Sequence, residues 1–175
     1  MIGLLRFVGV VNAAVWFGAA VCFTLFLSPA ASSKAMSDLL GAKNYPFFSV
    51  AIGQILESRY FHLYLVCSGV AAVHLMAEWL YFGRYPHRLW LGLMGCLFAF
   101  GLAQSCWLQP KLATLHRQQF ARPELHESAS RSFQVWRNTS QGLNLLVVGG
   151  LAFYLWRVAN PPDPARFVSP TKFRY

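Results

Sequence analysis

Acidic residues are scarce in this chain: six Asp and Glu stand against fifteen Lys and Arg, and only 12 % of the 175 residues are charged. With 56 % of the sequence apolar, a soluble bundle is strained, because a core of this size leaves much of that surface exposed unless lipid covers it. The net charge of +9 is the usual footprint of nucleic-acid binding. Here, however, Arg6, Arg59, Arg84, Arg88, Lys111 and Arg157 stand at the ends of apolar runs, where lipid head groups meet them, so no nucleic-acid partner is expected. Cysteine is limited to Cys22, Cys67, Cys96 and Cys106, none in C-x-x-C spacing, which reads as small packing residues. The sequence holds no glycine-rich phosphate loop, no H-E-x-x-H helix and no nucleophile elbow. Ser68, six residues before His74, falls on the wrong side of a helix to be activated by it.

What the chain does have is four long apolar runs: Phe7–Leu27, Phe61–Phe82, Leu89–Leu108 and Leu143–Val158. Each approaches the roughly 20 residues needed to cross a hydrocarbon layer as a helix. The expected fold is therefore all-α: an integral membrane four-helix bundle, one domain over 1–158 with spans at about 4–27, 60–82, 89–109 and 139–157. A helical segment outside the hydrocarbon, Lys111–Asn138, joins the third and fourth spans and is interrupted at Pro123. An extended proline-rich tail occupies 159–175. Met1–Ala31 has the outline of a signal peptide, but its apolar run is longer than a usual h-region, so it reads as a retained first helix. Pro29 and Pro110 predict a stop or a kink. Ser32 or Ser33 predicts a cap for a short helix over 35–40, and 46–59 reads as an interfacial segment leading into the second span. Gly83 and Pro86 predict a tight turn that makes the second and third spans antiparallel neighbours. Arg6, Arg157 and the short 83–88 turn favour an inside N-terminus, while the basic 111–137 segment leans the other way; the expected location is a bacterial inner membrane. Small residues at Gly92, Gly95, Ala99 and Ala103 predict that this side of the third span makes the closest helix contact in the fold.

Polar residues at membrane depth supply the candidate sites. Cys67, His74 and Glu78, seven and four residues apart, share one helix side; they read as a metal-ligand set, a proton-accepting pair, a cofactor anchor, or a plain His74–Glu78 hydrogen bond. Arg137, Ser140, Gln141 and Asn144 form a second patch at the entry of the fourth span, either a packing network or the floor of a polar cavity. Histidine is absent from the first, third and fourth spans, which argues against intramembrane bis-histidine haem. His62 or His87 with His116 or His126 leaves an interfacial haem geometrically open.

Trp16-Phe17-Gly18 followed by Phe26 and Ser28-Pro29, the Gln109-Pro110 step, and Phe133, Ser140 and Asn144 leading into the fourth span together resemble the DUF4149 and TMEM205-like group of small four-helix membrane proteins. That group carries a His where this chain has Arg137, and arginine stays charged and cannot ligate a metal or relay a proton. The resemblance implies four spans and no assigned reaction. The expected function is a non-enzymatic membrane subunit or assembly partner with lipids and other membrane-protein subunits as its partners and no resident cofactor. The alternatives are a small transporter or metal-handling protein, and then a haem- or quinone-binding redox subunit.

Overall fold

A computed structural model describes residues 2–41, 43–82, 88–121 and 126–160. Among them there is no strand. Seven α-helices and two π-helical segments make four rods: α1 (Ile2–Val21) runs through a π segment (Cys22–Leu27) into α2 (Ser28–Ala31), the short α3 (Lys34–Leu40) follows, and α4 (Tyr45–Phe82) is the second rod. The third rod is α5 (Arg88–Ala103), a second π segment (Gln104–Leu108) and α6 (Gln109–Ala121); the fourth is α7 (His126–Ala159). All four rods are long and apolar enough to cross a membrane, yet only 22–28 % of each apolar window is buried inside the protein, so lipid must cover the rest. The chain is a four-helix membrane bundle. The Gly83–Pro86 turn, His87, Pro123 and the tail beyond 160 lie outside the described residues.

Neither proline ends its helix. Each follows a widened turn in which the bond spans five residues: Ser28 N–H donates to Phe23 O, and Gln109 N–H donates to Gln104 O. Proline offers no N–H and its ring presses on the carbonyl four residues back; the wider π turn removes that clash and lets the rod continue. The expected cap is present, since Ser33 Oγ accepts from Met36 N–H at 3.2 Å. Gly41 closes α3 with φ of 74°, a region other residues rarely enter.

Two tryptophans stand on each of the third and fourth rods. Trp90 and Trp107 sit ~26 Å apart along the third rod, and Trp136 and Trp156 ~30 Å apart along the fourth, close to the thickness of the hydrocarbon. At one belt Lys111 Nζ lies 3.8 Å from the Trp136 ring centroid and 5.1 Å from that of Trp107. At the other, Arg157 lies over Trp90 at 5.4 Å, and Trp90 stacks on Phe153. Beyond the Lys111 belt α4, α6 and α7 continue outward, α6 packed against α7 through Leu112, Phe133 and Trp136. Lys43 and Asn160 thus lie at opposite ends of the bundle. Epitopes placed at these two positions are expected to be protease-accessible from opposite sides of sealed vesicles; access from one side would remove a span.

α4 is the spine of the core. Asn12 Nδ2 donates to Cys67 O at 3.0 Å and His74 Nε2–H to Leu5 O at 2.9 Å, fastening α4 to α1; Tyr64 O–H donates to Leu97 O at 2.8 Å, fastening it to α5. Around these bonds Trp16, Phe23, Tyr60, Phe61, Tyr64, Leu97, Leu151 and Tyr154 form one buried cluster. The small residues of α5 do not join it. Gly92, Gly95, Ala99 and Ala103 are exposed, and a Cβ on Gly92 or Gly95 would meet nothing within 4 Å. The intimate glycines are elsewhere. A Cβ on Gly101 would lie 2.6 Å from the Tyr64 ring, and one on Gly9 would lie within contact distance of the His74 ring.

Candidate functional site

The first predicted constellation lies on α4 among contacts to α1 and α7. Cys67 is buried in the core and its carbonyl holds Asn12; His74 holds Leu5; Glu78 lies near Tyr154 of α7. Among the described residues no three His, Cys, Asp or Glu side chains gather where one ion could be held. An imidazole that donates Nε2–H to a backbone carbonyl keeps Nδ1 as its remaining ligand atom.

The second constellation does converge. Arg137, Ser140, Gln141 and Asn144 all line a cavity of about 70 Å3 between the rods at the level of the Lys111 belt. α7 presents them at spacings of three and four, one side of the helix. The opposite wall comes from residues that their helical periodicity did not mark: Ser28 from α2, and Ser49, Gln54 and Glu57 from α4. Gln104 reaches in from the second π segment and donates to Ser140 Oγ at 3.1 Å, while Ser140 O–H points at Glu57 Oε1 at 3.5 Å. Gln141 donates to Ser28 Oγ at 3.2 Å. The Glu57 carboxylate and the Arg137 guanidinium thus face the same small space.

Several polar atoms here find no protein partner: Asn144 Oδ1, Gln104 Oε1, Gln54 Nε2 and, one turn away, Gln109 Nε2. Each buried and unpaired polar atom costs about 1–3 kcal/mol. Four of them together would rival the 5–15 kcal/mol that typically holds a protein folded. The cavity is roomy and polar enough to hold water or a small polar molecule, and such an occupant removes this penalty. Ser140 is engaged by Gln104, and its distance to Glu57 is long for a base to withdraw a proton.

His62 and His116, two of the histidines left open for an interfacial haem, line one groove between α4 and α6. Nothing is described of the His126 side chain, and His87 lies outside the described residues.

Compared with known proteins, residues 11–121 match the model of a family described as a domain of unknown function, DUF4149. No curated protein and no solved structure matches the chain. The matched stretch covers α4, α5, α6 and most of the first rod. It stops short of α7, which carries Phe133, Arg137, Ser140 and Asn144.

Proposed function

We propose that this chain, which belongs to the DUF4149 family, is a non-enzymatic membrane protein that admits a small polar solute into the Glu57–Asn144 cavity from one membrane surface. It is a solute-handling role rather than catalysis. The observation that carries it is the set of buried, unpartnered amide atoms around a facing carboxylate and guanidinium. Polar groups at membrane depth are costly and concentrate where a pathway needs them; a packing network would satisfy its own members. Kinship with the TMEM205-like members in particular belongs to this proposal: it rests on Phe133, Ser140 and Asn144, which line the cavity. An inside N-terminus in a bacterial inner membrane, also part of it, puts the cavity mouth on the outer face.

Cysteine accessibility tests the reading. In a chain whose native cysteines are replaced, Asn144→Cys is expected to react with a small water-soluble thiol reagent, and Leu146→Cys, exposed to lipid, is not. Reaction at Asn144→Cys should slow when the solute handled is present. Equal protection of both positions would mean a dry interior and would sink the proposal.

A membrane-subunit role is favoured by a separate observation, the exposed Gly92, Gly95, Ala99 and Ala103 side of α5 with Cys96 beside it. Small residues let a second helix approach closely. On this reading Gly95→Leu leaves the folded protomer intact but abolishes its co-purification with partner chains from native membrane. Unchanged recovery of those partners would count against it.

A further inference from the structure

The groove between α4 and α6 is open to the outside and encloses about 620 Å3. Arg59, His62, His116 and Arg117 line it, and among the described residues no carboxylate does. Arg59 stands 20 residues before Trp79, or ~30 Å along α4, so it lies level with the Lys111, Trp107 and Trp136 belt where head groups reside. Below it, His62, Val66, Val70 and Val73 continue along α4 at spacings of three and four, all exposed, and Leu102 and Phe98 are exposed on α5. A polar basic mouth therefore opens directly above an apolar trough.

His116 supplies the second observation. Its side chain is only 3 % exposed, and neither ring nitrogen has a hydrogen-bond partner; the Phe47 backbone lies near it but outside hydrogen-bonding geometry. The ring stacks on Phe47 at 5.1 Å and meets the edge of Phe120 at 5.1 Å, which limits its access to water. His62, by contrast, donates Nδ1–H to Ser58 O at 2.6 Å, which leaves Nε2 as its remaining polar atom.

We propose that this groove seats one anionic phospholipid, its phosphate held by Arg59 and Arg117, its head group completing His116, and its acyl chains lying along the Val66–Val73 trough. Guanidinium forks suit a phosphate better than any other side chain does. The continuity with the trough selects a lipid over a free anion, because the trough gives acyl chains apolar surface to cover.

The test uses the purified full chain in detergent, with phosphatidylglycerol, phosphatidylcholine of the same acyl chains, or inorganic phosphate added before thermal melting. Phosphatidylglycerol is expected to raise the melting temperature, and phosphatidylcholine and inorganic phosphate are not. Arg59→Gln with Arg117→Gln, both at exposed positions, should melt as the parent does without lipid and bind phosphatidylglycerol about 25-fold more weakly, roughly fivefold per guanidinium. His116→Phe keeps the aromatic packing and should lose part of the preference. Equal effects of the two lipids, or an R59Q/R117Q protein that retains the preference, would overturn the proposal. A shift with inorganic phosphate alone would reassign the groove to a soluble anion. A Soret band that falls in His116→Phe would reassign it to a porphyrin.

Discussion

Gly101→Leu is expected to destabilise the bundle by about 3 kcal/mol or more, whereas Gly95→Leu, six residues earlier on the same helix, stays within about 0.5 kcal/mol of the parent. The contrast follows from what each position meets. A Cβ at Gly101 would stand 2.6 and 2.7 Å from two carbons of the Tyr64 ring. That ring cannot withdraw, because Tyr64 is fully buried and its hydroxyl is tied to Leu97 O at 2.8 Å. Moving it would break a bond worth about 1 kcal/mol and leave the hydroxyl unpaired, in addition to the overpacking cost of about 1–3 kcal/mol. Gly95 meets nothing within 4 Å, so a leucine there reaches lipid. Melting of the two variants in a detergent that keeps the protein monomeric separates these cases. If G95L melts as low as G101L, the packing of α5 against α4 described above is wrong.

Trp16→Ala should cost about 3–5 kcal/mol, and Trp16→Phe less than about 1.5 kcal/mol. Trp16 is fully buried where α1, α4 and α7 meet, edge-on to Tyr64 at 5.0 Å and to Tyr154 at 6.0 Å. Truncation to alanine removes both aromatic contacts and opens a cavity that the surrounding rods close only in part. Phenylalanine keeps a ring there and discards the indole N–H, which has no partner and is therefore a burden in the folded state. Equilibrium unfolding in mixed micelles measures both variants. An alanine variant as stable as the phenylalanine one would mean that neighbouring side chains or lipid refill the space.

The fold was largely legible in the sequence because membrane spanning imposes a length on apolar runs, and four runs of that length leave few alternatives. The Ser33 cap and the common side of Ser140 and Asn144 were equally local and equally readable. Side assignment was another matter. Gly92, Gly95 and Ala99 announce that something can come close, but small volume carries no mark of whether the neighbour belongs to this chain or another. Gly101, flanked by Phe100 and Leu102, lies off the Gly92–Gly95–Ala99 pattern; its reason lies 37 residues away in Tyr64. Half of the cavity was hidden likewise. Glu57 and Gln54 sit in a stretch whose weak amphipathicity suggested the membrane surface, and only the packing of α4 against α7 turns them toward Ser140. Cys67, His74 and Glu78 did share a side of the helix as their spacing required, but the Leu5 carbonyl of α1 gave His74 a partner that sequence spacing alone cannot show.

The two π segments act as dislocations in otherwise regular helical lattices. Crossing one, the rod keeps its direction but its side-chain pattern slips in phase by roughly one residue, about 100°. Residues 88–103 and 109–121 are therefore free to follow two different patterns, one matched to lipid and α4, the other to Phe133 and Trp136 outside it. The same slip in the first rod lets α1 address the core while Ser28 turns to the cavity. Two environments meet on each of these rods, and the fault in the lattice lies where they meet. A helix without such a fault would have to satisfy both with a single phase.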